Sequence, residues 1–399
     1  MKPLLVLEEP ISIKDGRVAS NSSWMSYACD IVSRLGGGCI WVPLDRKGIC
    51  GGRNSFAIPP GVEVQGAFYY RSFLDYYKKL PFNYLSLYRG LSDAVKKCDF
   101  VLVRAPSQIA SPLMRVCKIH QKPIVTMYAG DFLLAASPLQ NRSVYSSILR
   151  VAALIIDKAQ RKLGAQSIGV VSIGDAVAKR YKVKCPVLVM SDSTVPRDAV
   201  ELGLRRDIHR ATPLRLVRVA SYLKNKNYEL LFDVIRKLRV EGWKGSLECY
   251  GPVPDQDYFN TLREMAPEDV HLHGPLEAGG AVLEMMRSKD VQIICSRSEG
   301  IPRTILEGAS SGVALISLDI GGISSIVTHD QNAILVPDNG DNENAQRLAL
   351  AVLDVEHNQE LFSRLVSDGL RLSETMTREH SIEMLSVFLN GLFNNSKLL

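Results

Sequence analysis

Several features that would define other classes of protein are missing from this sequence of 399 residues. No window approaches about 18 consecutive apolar residues, which excludes a membrane-spanning helix. The sequence has no P-loop, no GxSxG motif, no low-complexity tract and no repeat with a period of about 20–50 residues. Glu8 and Glu9 follow only a short apolar run at the start of the chain, unlike the h-region of a secretory signal. We therefore expect a cytoplasmic protein.

The eight cysteines lack the spacing of a metal site or a disulfide scaffold. They form no CxxC pair, and several lie in apolar runs, as Cys295 does in DVQIICS, so we interpret them as reduced core residues. Asp255-Gln256-Asp257 resembles a manganese motif, but it opens a helical pattern and is better explained as an N-terminal cap. His271 and His273 have no third ligand at a suitable spacing. No metal is therefore expected.

The composition is that of an ordinary globular protein, with 46% apolar and 23% charged residues. At about 100–200 residues per domain, the length predicts two or three domains. The net charge of +6 is unevenly distributed: residues 1–198 contain 27 Lys and Arg against 14 Asp and Glu, and the remaining residues contain 21 against 28. This asymmetry indicates a first domain that faces an anionic partner, or a solvated surface without one.

Short apolar runs alternate with amphipathic stretches along the chain, which predicts an α/β protein with doubly wound parallel sheets. The predicted strands are Leu4–Leu7, Cys39–Pro43, Phe100–Arg104, Ile124–Tyr128, Ile168–Ser172, Val187–Met190, Leu214–Ala220, Ser246–Tyr250, Val270–Leu272, Val291–Cys295, Ala314–Ser317 and Ala333–Val336. The predicted helices include Ser22–Leu35, Ser143–Lys162, Glu229–Glu241, Asp257–Met265, Ala278–Arg287 and Thr304–Ser311. We interpret the polar stretch Ser191–Pro213 as an interdomain linker.

The most informative segment is Ile294–Gly312, where a strand leads through a short loop into a helix. Gly300 leaves room for a ligand to approach the backbone, and Pro302 suits a helix start. The N–H groups of that helix start favour a phosphate or another anion. Glu299 and Glu307 could bracket one ligand by accepting hydrogen bonds from its hydroxyl groups. The alternative is a solvated helix with two unrelated glutamates.

The order S-x-x-E-G-x-P-x-x-x-L-E-x-x-x-x-G in residues 296–312 resembles retaining family-four glycosyltransferases of GT-B fold. Gly321-Gly322, ILVPDNGD at residues 334–341 and HLHGPL at residues 271–276 extend this resemblance. It implies two doubly wound, Rossmann-like domains facing each other across a cleft. Residues 1–195 would bind the acceptor and residues 206–379 the nucleotide sugar, with a C-terminal helix at about 380–399 packing back on the first domain.

The resemblance also implies roles for individual residues. Glu307 would bind the ribose hydroxyls, Glu299 the donor hexose, and Lys226 the diphosphate. Ser221 stands where an arginine is common in the family, so Arg303 or Lys224 would have to compensate the remaining phosphate charge. Gly16 would lie in a loop after the first strand, where the family's glycine-containing loop approaches the donor phosphates. The full donor site implied is Gly16, Ser221, Lys226, Ser296, Glu299, Gly300, Ile301, Pro302, Arg303 and Glu307.

The catalytic group implied by the resemblance is Glu299, Lys226 and Asp131. Asp131 is the nearest polar residue to a position where many members have a histidine, and it equally suits a helix cap. Lys226 and helix N-termini would stabilise the leaving diphosphate without a metal or another cofactor. By family analogy, the acceptor hydroxyl attacks on the same face as the departing phosphate, so that the configuration is retained.

Residues 68–89 contain nine of the 28 aromatic residues and the cations Arg71, Lys78, Lys79 and Arg89. Aromatic and basic residues together favour an anionic membrane surface or a lipid-linked acceptor. The alternative is that the aromatic residues pack between helices. Stacking on single-stranded nucleic acid would use similar chemistry, but no nucleic-acid motif accompanies the stretch, so no nucleic-acid partner is expected.

Taken together, the resemblance implies a hexosyltransferase that uses a nucleotide sugar, with a UDP-sugar favoured. Its acceptor would be membrane-associated or a glycan in polysaccharide or lipopolysaccharide biosynthesis, and the protein would lie at the inner face of the membrane. Two alternatives stay open. One is a soluble GT-B enzyme acting on a small acceptor such as a sugar phosphate, and the other is a non-catalytic GT-B binding module.

Overall fold

The computed structural model divides the chain into two compact units, Met1–Ser191 with Ser381–Leu399 (unit 1) and Asp192–His380 (unit 2). It describes residues 1–20, 24–46, 54–70, 73–129, 144–174, 180–181, 183–191, 193, 195–205, 210–277 and 279–395. Each unit contains a parallel sheet with helices around it, so the α/β class predicted from the apolar runs is confirmed.

The strands of unit 1 are β1 (Pro3–Val6), β2 (Ile11–Lys14), β3 (Arg17–Ser20), β4 (Gly38–Trp41), β5 (Leu44–Asp45), β6 (Asn54–Ala57), β7 (Val62–Gln65), β8 (Phe100–Ala105), β9 (Ile124–Tyr128), β10 (Gly169–Ile173) and β11 (Val187–Met190). Seven of them form a sheet in the order β11-β10-β9-β8-β1-β4-β7, and every pairing in it is parallel. Strands β1, β8 and β9 are almost fully buried because helices cover both faces of such a sheet.

A second, four-stranded sheet in the order β5-β2-β3-β6 was not predicted from the sequence. Its β2–β3 hairpin turns at Asp15 and Gly16, which both have positive φ values of 50° and 71°. That pair of conformations is typical of a two-residue hairpin turn, for which an Asp-Gly pair is well suited. The segment predicted as a loop after the first strand is therefore a hairpin, and Gly16 lies at its tip.

The helices of unit 1 are α1 (Trp24–Arg34), α2 (Phe73–Lys97), α3 (Ala110–Ile119) and α4 (Val144–Gln166), and the last helix of the chain, α12, spans Arg378–Asn395. Ile382, Leu385 and Leu389 of α12 are buried in the same apolar cluster as Leu5 of β1 and Leu102 of β8. The C-terminal helix thus completes the core of unit 1, although it follows unit 2 in the sequence.

The strands of unit 2 are β12 (Arg215–Val219), β13 (Ser246–Tyr250), β14 (Val270–His273), β15 (Val291–Ile294), β16 (Ala314–Asp319) and β17 (Ile334–Pro337). They form one parallel sheet in the order β14-β13-β12-β15-β16-β17, and all six were predicted from apolar runs. The strand order reverses between β12 and β15, the position at which open α/β sheets bind ligands.

The helices of unit 2 are α5 (Arg197–Leu204), α6 (Tyr228–Val240), α7 (Gln256–Met265), α8 (Gly280–Arg287), α9 (Arg303–Ser310), α10 (Asp341–His357) and α11 (Gln359–Thr375), with 3-10 turns at Lys224–Lys226 and Ile323–Ser325. Helix α7 begins at the predicted cap, since Asp255 accepts a hydrogen bond from the N–H of Tyr258. Helix α5 lies within the stretch predicted as a linker. It is ordered because Ala199 and Val200 are buried against Leu306.

None of the helices in the described ranges has the length and hydropathy that a membrane span requires. Within those same ranges, no group of three or more His, Cys, Asp or Glu residues is arranged to hold a metal ion.

Candidate functional site

Two loops of unit 2 meet because the strands before them are neighbours. Strands β12 and β15 pair in parallel, so the loops after them leave the same edge of the sheet side by side. A backbone hydrogen bond of 2.8 Å from Arg297 N to Asn225 O joins the two loops. The first loop carries Lys226 and the second carries Glu299, which are far apart in the sequence.

Lys226 and Glu299 form the central contact of this site. The Lys226 ammonium donates to both carboxylate oxygens of Glu299, at 2.8 Å each, and the two side chains are only 20% and 11% exposed. Lys226 ends a 3-10 turn, and Asn227 then adopts a left-handed conformation (φ 55°) from which α6 begins.

A buried layer lies beneath the ion pair. The Ser296 hydroxyl donates to Glu299 Oε1 at 2.5 Å and accepts from Arg218 Nη2 at 2.6 Å. Arg218, on β12, is 1% exposed, and its Nη2 lies 4.0 Å from Glu299 Oε1. With two cations and one carboxylate, this cluster carries an excess positive charge, which favours an anionic ligand at the same strand edge.

The Glu299 loop rests on a loop that contains two consecutive glycines. Gly321 has a positive φ of 59°, and a Cβ built there would lie 1.9 Å from Glu299 O. Gly322 N donates to Gly300 O at 3.1 Å. Gly300 itself is exposed, and a Cβ built on it would contact nothing within 4 Å. The backbone around Gly300 is therefore supported from one side and open on the other.

Glu307 lies in α9, the helix that follows this loop, and its side chain is partly buried. Burial raises the pKa of Glu307, and the nearby Arg303 guanidinium opposes that increase. Pro302 caps the helix, which begins at Arg303, close to the start predicted from the sequence. A partly desolvated carboxylate is a strong acceptor for ligand hydroxyl groups.

A polar cavity of about 620 Å³ adjoins the cluster. It is lined by Asn227, Ser296, Arg297, Leu318, Asp338, Gly340, Asp341 and Asn344. Arg297 closes part of its rim through an ion pair of 2.9 Å with Asp341. The cavity therefore lies at the edge formed by the carboxyl ends of the strands, where α/β sheets bind ligands.

The structure brings together some of the residues predicted to form the site. Lys226, Ser296 and Glu299 are in direct contact, and Gly300, Ile301, Pro302 and Arg303 follow in the same loop and helix start. Ser221 lies in the loop after β12, where its carbonyl accepts from Leu223 N. Gly16 is in unit 1, and Arg71 and Asp131 lie outside the described residues.

Three of the four basic residues of the aromatic stretch, Lys78, Lys79 and Arg89, lie on α2 of unit 1, whereas Arg71 lies outside the described residues. Lys78 and Arg89 are exposed, whereas Lys79 donates to Asp75 and to the carbonyl of Tyr69, both at 2.9 Å. Tyr76 and Leu87 from the same helix are buried in the core. The stretch is therefore divided between core packing and an exposed face.

Two polar residues at the carboxyl ends of strands were not predicted from the sequence as site residues. Arg218 was hidden inside an apolar strand pattern, although a charged residue there is itself unusual. Glu8, directly after β1, accepts hydrogen bonds from Ser107 Oγ (2.6 Å), Gln108 N (2.9 Å) and the Tyr70 hydroxyl, and burial raises its pKa. An acidic residue at the end of a buried strand was the available signal for Glu8.

Comparison with known proteins shows that unit 2 is similar to a family. Residues 205–370 match the family described as "Glycosyl transferases group 1". The chain is 23% identical over 257 residues to protein CapJ of Staphylococcus aureus, an alignment that covers 63% of each protein. It is 29% identical over 185 residues to WcaL of Escherichia coli K12, described as a candidate colanic acid biosynthesis glycosyltransferase, covering 44% of this chain and 46% of WcaL. The chain thus spans less than two thirds of either relative.

The fold is shared over nearly the whole chain. Anabaena HepE in complex with UDP aligns with a TM-score of 0.68 at 13% identity, covering 98% of this chain and 100% of HepE. HepE in complex with UDP-glucose aligns with a TM-score of 0.67. The chain therefore has the GT-B fold, with two Rossmann-like domains, and its residues 205–370 match the group 1 glycosyl transferases.

Proposed function

We propose that the protein is a retaining glycosyltransferase that moves a hexose from a nucleotide sugar, a UDP-sugar being favoured, to a glycan or membrane-associated acceptor. The observation that carries this proposal is the convergence of Lys226, Ser296 and Glu299 where the strand order of unit 2 reverses. The match to group 1 glycosyl transferases over the same unit supports it.

Each group of the site has a role in this proposal. Breaking the bond between sugar and nucleotide builds negative charge on the diphosphate, which the Lys226 ammonium stabilises without a metal. Glu299, with the backbone N–H groups of Gly300 and Ile301, holds the hexose, and Glu307 accepts from the ribose hydroxyls. The acceptor hydroxyl attacks on the face that the diphosphate leaves and transfers its proton to it.

The pathway is proposed from the relatives. WcaL is described as acting in colanic acid biosynthesis, and HepE has been solved with UDP and with UDP-glucose. By similarity, we propose a role in building a surface polysaccharide or lipopolysaccharide from a UDP-sugar.

The donor is tested by a thermal-shift screen of UDP-, GDP- and ADP-sugars against the wild type, Glu307→Ala and the control Glu360→Ala. Glu360 is exposed on α11, so its loss should change nothing. A true donor stabilises the wild type and the control but not Glu307→Ala. NMR of the product with that donor then shows whether the anomeric configuration is retained. If no nucleotide sugar stabilises the wild type, the chain is instead a GT-B binding module.

We further propose that α2 docks unit 1 on an anionic membrane. Phe82 and Leu85 are 91% and 69% exposed, and Lys78 and Arg89 are exposed on the same helix. Apolar side chains flanked by cations are the arrangement that binds a charged interface, and each basic residue adds about 1 kcal/mol near an anionic surface. The ion pair of Lys79 with Asp75 leaves Lys78 as the stronger contributor of the two.

Docking is tested by sedimentation with vesicles that contain anionic lipid and with purely zwitterionic vesicles. The wild type should bind only the former, and reversing the charge of Lys78 and Lys79 together should abolish binding. Phe82→Ser should weaken binding. The control is Ile119→Ser, which replaces an exposed apolar residue on α3 and should leave binding unchanged. Unchanged binding after charge reversal contradicts the proposal. Turnover on a water-soluble acceptor without vesicle binding would favour a sugar-phosphate acceptor.

A further inference from the structure

We infer that Arg218 is a positioning residue of the donor site, which fixes Glu299 through Ser296 and replaces the arginine that is absent at Ser221. This inference rests on the proposed function, because it concerns how the same site balances the charge of a diphosphate. The evidence comes from the geometry of the layer beneath Lys226 and Glu299.

Arg218 is a fully buried arginine at the carboxyl end of β12. Its Nη1 donates to Ile293 O at 3.2 Å and its Nη2 to Ser296 Oγ at 2.6 Å. Its Nε has no hydrogen-bond partner among the described residues. A buried guanidinium is costly unless a negative charge lies nearby. Glu299, 4.0 Å from Nη2, is the carboxylate that meets this need.

The arrangement allows Glu299 to keep a cation while Lys226 changes partner. In the ligand-free protein, Lys226 contacts both Glu299 oxygens. When a diphosphate attracts Lys226, Glu299 still accepts from the Ser296 hydroxyl, which Arg218 orients, and it stays within reach of the guanidinium charge. Arg218 therefore makes the lysine available without leaving a partly buried carboxylate unpaired.

The two substitutes suggested by the sequence are less well placed than Arg218. The Lys224 ammonium lies 6.0 Å from the centroid of the Tyr258 ring, over its face. Arg303 is the first residue of α9, where it acts on Glu307. Among the contacts described, Arg218 and Lys226 are the two cations within 4.0 Å of Glu299.

The test measures the affinities of UDP and UMP by titration calorimetry for the wild type, Arg218→Met and Arg218→Lys. Because the inferred role concerns the diphosphate charge, Arg218→Met should bind UDP about 10-fold more weakly or worse, with UMP changing less. Arg218→Lys should recover part of the loss. The double variant Arg218→Met with Ser221→Arg should also recover UDP affinity, because it places a positive charge on the loop that carries Lys226.

The matched control is Arg215→Met. Arg215 lies on the same strand but pairs with Asp290 at the opposite end, through bonds of 2.8 and 2.9 Å. Its loss should lower stability while the UDP to UMP affinity ratio stays that of the wild type. An Arg218→Met protein with the wild-type ratio, or one that Ser221→Arg does not improve, overturns the inference.

If Arg218→Met does not fold, Ser296→Ala provides the test, because it removes the bridging hydroxyl and leaves the buried arginine in place. It should weaken UDP binding more than UMP binding, and an unchanged ratio contradicts the inference. Failure of the proposed function gives a different result: the wild type would then bind none of UDP, GDP and ADP, and the inference would fail with it.

Discussion

In the ligand-free protein, the main cation of the site, Lys226, is already paired with the carboxylate of Glu299. Two loops from neighbouring strands place the pair, and its low exposure limits screening by water and salt. A diphosphate must therefore compete with Glu299 for Lys226. That competition favours ligands carrying more than one negative charge over neutral sugars.

Lys226→Met is expected to reduce kcat by about 100-fold, because a preorganised cation is typically worth that much where leaving-group charge develops. The measurement is steady-state release of the nucleotide from the donor that the thermal-shift screen identifies. Lys244→Met, which removes an exposed lysine of unit 2, is the control and should retain activity. A Lys226→Met enzyme as active as this control would remove the lysine from the mechanism.

In the absence of ligand, Glu307→Gln is expected to be more stable than the wild type, and the difference between their free energies of unfolding should increase with pH. Burial raises the pKa of Glu307 above its ordinary value of 4.5, so ionisation of Glu307 in the folded protein lowers the free energy of unfolding. Glutamine does not ionise, so the variant avoids this loss. The two proteins should differ least below pH 4.5, and the advantage of the variant should grow as the pH rises through the raised pKa. Urea denaturation of both proteins between pH 4 and 8 measures this difference. A difference independent of pH would contradict the assignment.

At the scale of elements, the Gly321-Gly322 loop sets the position of the Glu299 loop. Gly321→Ala is expected to lower activity about 10-fold or more, because its Cβ would collide with Glu299 O in addition to the strain of a positive φ. Gly242→Ala is the matched control: Gly242 also has a positive φ (83°), but a Cβ there contacts nothing within 4 Å. Both variants should lose stability, and only Gly321→Ala should lose activity. Activity is again measured as nucleotide release.

The elements themselves were largely predictable, because buried parallel strands are short apolar runs that the sequence displays directly. Among the strands of unit 1, β7 and the four strands of the second sheet are exceptions. Residues 11–20 alternate Ile11 and Ile13 with polar residues around Asp15-Gly16, a hairpin pattern that was interpreted as a loop. Helix α5 was missed for another reason: its stretch is polar overall, and the helix buries Ala199 and Val200 in a cluster with Leu283 and Leu306, which are distant in the sequence.

At the scale of the whole molecule, the chain returns from unit 2 to complete unit 1. Leu385→Ala in α12 is expected to cost about 2–5 kcal/mol, because Leu385 is fully buried in the core of unit 1. Hydrogen exchange should accelerate in β1 and β8 more than in the strands of unit 2. Val387→Ala on the same helix is the control, since Val387 is 67% exposed, and it should change stability by less than about 0.5 kcal/mol. Equal acceleration in both units would contradict this assignment.

The sequence by itself determined the α/β class, the strands of both main sheets except β7, and the candidate residues Lys226, Ser296, Glu299 and Glu307, because apolar periodicity and motif order are local properties of a chain. Only the tertiary structure decided that Lys226 donates to both carboxylate oxygens of Glu299, and that Arg218 lies beneath them. Those contacts join residues more than 70 positions apart, and the pairing of β12 with β15 creates them. The role of the Arg218 charge depends on the groups that surround it when it is buried. Those groups come from distant parts of the sequence, so the spacing of residues along the chain does not reveal them.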